Sequence, residues 1–173
     1  MIIGRPLLTT EQIQEKITAL ADRISQDYQG KEIIALGILK GSFIFFADLV
    51  RALKIPVTID FVLASSYIKT SSTGEVKIHY EPRHDLAGKH VLLIDDIIDT
   101  GISLNFIRER LLSQSPESLK ICIFLDKKER RVVDVPVDYL GFEIPNKFVV
   151  GYGLDYDDKY RNLPYVAVFR SEA

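Results

Sequence analysis

The chain has 173 residues, 47% apolar and 27% charged, the balance of an ordinary globular protein rather than a disordered or fibrous one. Its 22 basic and 24 acidic side chains leave a net charge of −2, which argues against a general nucleic-acid binder, since that would carry a basic excess. The single cysteine, Cys122, excludes an internal disulfide framework, and no apolar run is long enough to span a bilayer.

One domain over residues 1–173 is expected, large enough for a real core. Met1-Ile2-Ile3-Gly4-Arg5-Pro6 is unlike a signal peptide, so a cytoplasmic location is expected, with Cys122 a buried reduced thiol and no membrane partner. His79, His84 and His90 show no zinc spacing and are expected on the surface or in loops.

Thr9-Thr10-Glu11-Gln12 has the form of a capping box, with Leu8 and Ile13 as its staple. Ile13, Ile17, Leu20, Ile24 and Tyr28 recur at helical spacing, and Gly30 closes that helix. Glu32 to Leu39 is a buried strand. It ends in Leu39-Lys40-Gly41-Ser42, and Phe43 to Val50 then forms a helix. Lys-Gly-Ser at a strand end and helix start is either a second anion site or a plain turn with a solvated lysine. From Pro56 onward, Val57, Ile59, Phe61 and Leu63 alternate with Thr58 and Asp60 as a strand. Ala64 to Gly74 is small, polar and long, a loop by composition, and Val76 to Tyr80 returns as the second arm of a hairpin.

The central stretch follows. Val91-Leu92-Leu93-Ile94 is the continuous apolar run of a strand buried on both faces of a parallel sheet. It leads into Asp95-Asp96, then Asp99, then Thr100-Gly101-Ile102-Ser103 at the start of a helix. Ligands of open α/β sheets sit at such strand ends. The N–H groups of Thr100, Gly101, Ile102 and Ser103 lack intrahelical partners and suit a phosphate. Asp95 and Asp96 would lie about one sugar away, where carboxylates accept from vicinal ribose hydroxyls. Asp99, between the two ends, could meet a proton on a ring held over that ribose. Helix capping accounts for Asp99 alone, not for three acids. Asp95 to Asp99 also matches the DDxxD metal motif of terpenoid synthases literally, but that motif needs a helix, not a strand. No Walker A pattern occurs.

Phe106, Ile107, Leu111 and Leu112 supply the stripe of the following helix, and Pro116 ends that region. Leu119 to Leu125 is another buried strand, followed by the charge run Asp126-Lys127-Lys128-Glu129-Arg130-Arg131, ordinarily a solvated face. Val137 to Tyr156 contains a strand, a Pro-Asn turn, a short strand and a Gly-x-Gly bend exposing Asp155. Phe148 there is by default a core aromatic. Tyr165 to Phe169 closes the chain as a strand.

The central stretch resembles the phosphoribosyl-pyrophosphate (PRPP) motif of type I phosphoribosyltransferases. Asp-Ile-Ile-Asp-Thr-Gly, residues 96–101, is most similar to the hypoxanthine-guanine phosphoribosyltransferases. The first acid of the pair is often Glu in that family; here it is Asp95, with a shorter arm. The resemblance runs from about Leu39 to Phe169 and includes Gly141-Phe142-Glu143-Ile144-Pro145 and the Phe148-Val149-Val150-Gly151-Tyr152 and Leu154-Asp155-Tyr156 segments.

The resemblance implies an α/β fold, a mostly parallel sheet flanked by helices, with a small hood lobe built from both chain ends. It implies pyrophosphate contacts from Leu39, Lys40, Gly41 and Arg161, with a Leu39–Lys40 peptide able to adopt the cis form. Ser66 and Tyr67 match a flexible lid that keeps water from the reacting sugar. Lys127 is implied to read the 6-oxo group of a purine, Phe148 to stack on it, and Val149 to offer backbone groups to its edge. Asp155 is implied to hold Mg2+ together with Asp95 and Asp96, and to approach the base. Asp99 is the candidate general base.

The implied reaction is purine salvage, transferring 5-phosphoribosyl from PRPP to hypoxanthine or guanine by a homodimer or homotetramer. A xanthine preference is the alternative among enzymes. A PRPP-sensing, nucleic-acid-binding regulator of the same fold is the alternative outside them, disfavoured because it needs neither Asp99 nor the purine contacts.

Overall fold

The computed structural model describes residues 2–67 and 75–170. After β1 (Ile2–Leu8), the first helix α1 (Thr10–Asp27) begins at the capping box. Thr9 Oγ1 accepts from the Gln12 N–H at 3.2 Å, and Gln12 Oε1 accepts from the Thr9 N–H at 2.9 Å. Leu8 and Ile13 on either side are both buried, as a staple requires.

A six-stranded sheet follows from β2 (Ile33–Leu39), β3 (Val57–Tyr67), β4 (Glu75–Tyr80), β5 (His90–Ile98), β6 (Ser118–Asp126) and β7 (Tyr139–Glu143). Its order is β4-β3-β2-β5-β6-β7, parallel except for the β3–β4 hairpin. Alternate residues of the central strands enter two cores. Ile33, Ala35, Leu92, Ile94, Cys122 and Phe124 pack with α1 and with α2 (Phe43–Ala52). Leu36, Val91, Leu93, Ile121 and Ile123 pack with α3 (Ile102–Leu112). Burial on both faces explains why these strands are apolar without interruption. Burial also pushes the free Cys122 thiol up, out of the reactive range.

A second sheet pairs β1, β9 (Val166–Arg170) and β8 (Val149–Val150), all antiparallel, so the two chain ends lie in one small sheet. It shares the first core through Leu8, Val149, Tyr152, Leu154 and Val166. Thr10 Oγ1 also donates to the Pro164 carbonyl at 3.0 Å. Among the described residues, no helix is long and apolar enough to cross a membrane.

Several expectations need correction. β3 continues through Ala64 to Tyr67, paired with β4, so the loop expected from Ala64 is strand in its first four residues. The rest of that loop lies outside the described residues. On β3 it is Asp60 that is buried, while Ile59 is 48% exposed. Asp60 can be buried because it accepts from the Phe61 and Arg83 N–H groups at 2.8 Å and lies 2.9 Å from His84 Nδ1. In α3 the inward face is Leu104, Ile107 and Leu111, whereas Phe106 and Leu112 point outward, as the spacing of three and four dictates. His79, on β4, and His84, between β4 and β5, are exposed as expected, whereas His90 is half-buried on β5 and meets the Tyr28 ring edge-on at 5.9 Å.

Candidate active site

The carboxyl ends of β2, β5, β6 and β7 line one edge of the sheet, and the sequence-predicted residues gather there. The acid pair does not follow β5 but lies among its last four residues, since the strand extends to Ile98. Asp95 Oδ1 accepts from the Asp96 N–H, and Asp96 Oδ1 from the Ile97 N–H, each at 2.9 Å. Burial raises both carboxyls above the usual range, Asp95 further because the Asp96 charge lies beside it. A cation or a set of hydroxyl donors would relieve that uncompensated charge.

The turn after β5 is braced from behind. Gly101 has φ +84°, and a Cβ there would fall 2.4 Å from the Val133 carbonyl oxygen, so only glycine fits. The Val132 and Val133 N–H groups both donate to the Thr100 carbonyl, at 2.9 and 3.0 Å. α3 starts at Ile102, which leaves the N–H groups of its first turn without intrahelical acceptors, as a phosphate site requires.

Three loops meet tightly beside the acids. A Cβ on Gly41 would lie 1.9 Å from Asp96 Oδ2, and one on Gly153, at φ +100°, would lie 2.1 Å from the Gly41 carbonyl oxygen. The Leu39–Lys40 peptide is cis. The Ser42 hydroxyl turns inward, donating to the Ile38 carbonyl at 2.6 Å, so Lys40 and Gly41 rather than Ser42 remain for an anion. Lys40 Nζ and an Arg161 amino group each lie 3.3 Å from Asp158 Oδ1. Arg161 also donates to the Gly153 carbonyl at 2.7 Å and lies 3.0 Å from Asp155 Oδ1. Two cations far apart in sequence thus converge on one spot.

On the other side of Asp99 is a cleft of about 290 Å³, lined by Asp96, Asp99, Lys127, Phe148, Val149 and Asp155 among others. Phe148 is 52% exposed, contrary to the default for a core aromatic, and meets Tyr156 edge-on at 5.9 Å. The charge run is not solvated throughout: Asp126 and Lys127 are buried. Burial pushes the Lys127 ammonium down, with the Asp99 carboxylate opposing. Asp99 Oδ1 is buried and accepts no hydrogen bond, although Arg130 Nε lies 3.1 Å away. That oxygen is covered on the Arg130 side, while the Asp99 side chain as a whole is 37% exposed beside the cleft.

The structure therefore brings Asp96, Asp99, Lys127, Phe148, Val149 and Asp155 to one cleft, and Lys40, Gly41 and Arg161 to its flank. Ser66 and Tyr67 end β3, paired with Val76 and Glu75 at the far end of the hairpin from its base. Among the described residues no three acidic, histidine or cysteine side chains converge as a ready metal cage, so Asp95, Asp96 and Asp155 do not form one. Asp126, Arg131 and Asp158 went unnoticed in the sequence, because a charge run and an acidic turn carry no signal of which member faces inward.

The sequence profile of the phosphoribosyl transferase domain matches residues 7–157. A hypoxanthine-guanine phosphoribosyltransferase of Aquifex aeolicus is 49% identical, over 92% of this chain and 91% of its own. This chain belongs to the hypoxanthine-guanine phosphoribosyltransferase family. A hypoxanthine phosphoribosyltransferase of Salmonella typhimurium is 47% identical, covering 92% of each chain. The crystal structure of a family member from Bacillus anthracis, with a HEPES molecule in its active site, superimposes with a TM-score of 0.94. It is 46% identical and covers 98% of this chain and 100% of its own. The mixed α/β fold, with its mostly parallel central sheet and flanking helices, is thus that of the family structures.

Proposed function

We propose that this chain transfers the 5-phosphoribosyl group of PRPP to a ring nitrogen of hypoxanthine or guanine, releasing pyrophosphate and a nucleoside 5′-monophosphate. The observation that carries this reading is the cleft between Asp99 and Phe148. It is lined by the exposed Phe148 ring and the buried Lys127, and by Asp99, the residue that precedes the turn at Thr100–Ser103.

The Thr100, Gly101, Ile102 and Ser103 groups anchor the 5′-phosphate, and Asp95 and Asp96 hold the ribose hydroxyls. Phe148 stacks on the purine, Lys127 donates to its 6-oxo group, and Val149 contributes backbone groups. The Asp99 carboxylate, 37% exposed and lining the cleft, takes the ring proton as the nitrogen attacks. Lys40, Gly41 and Arg161 receive the pyrophosphate. The β3–β4 hairpin bearing Ser66 and Tyr67 is the lid that excludes water from the sugar.

Carboxylate oxygens beside a phosphate site are the donors Mg2+ prefers, and it commonly takes one or two carboxylates with substrate oxygens completing its shell. Asp95, Asp96 and Asp155 would hold it in that way, which suits side chains that form no cage of their own. When bound it neutralises the developing charge on the leaving pyrophosphate. A cytoplasmic homo-oligomer, one domain per chain, is part of the same proposal.

The test is an assay with PRPP and Mg2+, offering guanine, hypoxanthine, xanthine and adenine in turn. Nucleotide from the 6-oxopurines and not from adenine is expected. Absence of turnover with every base, despite PRPP binding, overturns the reading in favour of a PRPP-sensing regulator.

A further inference from the structure

We propose that Arg131, gripped by Asp126, is a positioning residue that orients Asp99 and the phosphate-binding turn. The inference rests on the reading of that turn given above.

Asp126 ends β6, and its side chain is 5% exposed; the Arg131 side chain is 16% exposed. The Arg131 guanidinium pairs with the Asp126 carboxylate through one amino group. Its Nε lies 3.3 Å from the backbone carbonyl oxygen of Asp99. The next two residues donate to the next carbonyl, that of Thr100. Segment 131–133 therefore occupies both carbonyls preceding Gly101.

A trans peptide is planar, and its N–H points opposite to its C=O. Holding the Asp99 and Thr100 carbonyls against the strap therefore aims the Thr100 and Gly101 N–H groups away from it. The same hold sets the Asp99 backbone from which its carboxylate reaches the cleft. A buried ion pair adds little net stability over apolar residues of the same size. Its value here is the orientation of two acceptors by one rigid fork, a geometry that lysine does not reproduce.

The proposal is tested in the full chain with Arg131→Gln, Arg131→Lys, Asp126→Asn, Asp99→Asn and the double variant Asp99→Asn with Arg131→Gln. Turnover and the KM for PRPP are measured, with thermal unfolding as the control for folding. Arg131→Gln is expected to lose roughly 10²-fold in turnover, the scale of a 1 Å misplacement, and to raise the KM for PRPP several-fold. Arg131→Lys recovers little of either. The double variant loses no more turnover than Asp99→Asn alone, because both changes disable one group.

Losses that multiply in the double variant overturn the proposal. So does an Arg131→Gln protein that melts early but turns over normally when folded. If Arg131→Gln does not fold, Asp126→Asn, which keeps shape and an acceptor, is expected to shift turnover and PRPP KM in the same direction by less; no shift overturns the proposal. If Asp99→Asn itself retains full turnover, the general-base reading fails. Arg131 is then judged on the KM for PRPP alone, and an unchanged value overturns its role.

Discussion

The two flanks of the cleft are built differently. The turn after β5 is half-buried, crossed by the strap at 131–133, and held by hydrogen bonds to successive carbonyls. The opposite flank relies on side chains at the surface: Lys40 is 66% exposed, and its partner Asp158 is 71% exposed. Fixed backbone donors suit the phosphate and ribose that remain in the product nucleotide. Solvated charges, screened and able to change partner, suit a pyrophosphate that must depart. On the proposed reading one flank retains and the other releases, and substitutions on each should differ in kind.

The largest expected effect is on the retaining side. Asp99→Asn should lower turnover by about 10²–10⁴-fold while the KM for PRPP changes little, read from steady-state rates. Unchanged turnover would remove Asp99 from the base role. Gly101→Ala should be nearly as damaging in a different coordinate. Its Cβ meets the Val133 carbonyl, and its φ is left-handed, so the turn must shift; a loss of ~1–3 kcal/mol in unfolding free energy and weaker PRPP binding are expected. A calorimetric trace matching the wild type would show that the brace gives way cheaply.

Asp60 tests a site remote from both flanks, at the root of the hairpin proposed as the lid. Burial alone would raise its carboxyl. The hydrogen bonds from His84 and from the Phe61, Arg83 and His84 N–H groups outweigh burial and hold it below the usual range. The unfolded chain therefore takes up that proton first. The contribution is present above about pH 4 and is lost as the pH falls through the native value. Asp60→Asn should cost ~1–3 kcal/mol at neutral pH and flatten the acid limb of the stability curve. A parallel acid limb in the variant would assign that loss elsewhere.

The smallest effect is expected on the releasing side. Asp158 lies between Lys40 and Arg161, where a leaving pyrophosphate would sit, and those two side chains hold its carboxyl below the usual range. Asp158→Asn should leave the melting temperature unchanged and make pyrophosphate a several-fold stronger product inhibitor, less so at high salt. Asp157→Asn, which removes the same charge from a partner of Lys159, is the control. Equal inhibition in all three proteins would mean that Asp158 does not compete for the anion seat.

The elements were legible because each follows a local rule. The capping box at Thr9 and Gln12, the uninterrupted run Val91–Ile94 and the spacing of Ile13, Ile17, Leu20 and Ile24 depend only on near neighbours in the chain. The cluster of Asp95, Asp96, Asp99 and Gly101 was legible for the same reason, since a strand end and a helix start bring consecutive residues to one ligand. Which polar residue faces inward was not legible. Asp60 is buried because a loop more than twenty residues away donates to it, and Asp126 because Arg131 folds back across a turn.

The sequence by itself determined the alternation of strands and helices, the family, and the candidate groups proposed to meet the phosphate, ribose and base. Tertiary structure alone decided the rest. It set Gly41, Asp96 and Gly153 against one another from three separate loops, drew Lys40 and Arg161 to a common point, and turned part of a charge run into the brace behind Asp99. The physical reason is range: propensity and periodicity act within a few residues, whereas burial and long-range hydrogen bonds exist only once the sheet has brought distant segments together.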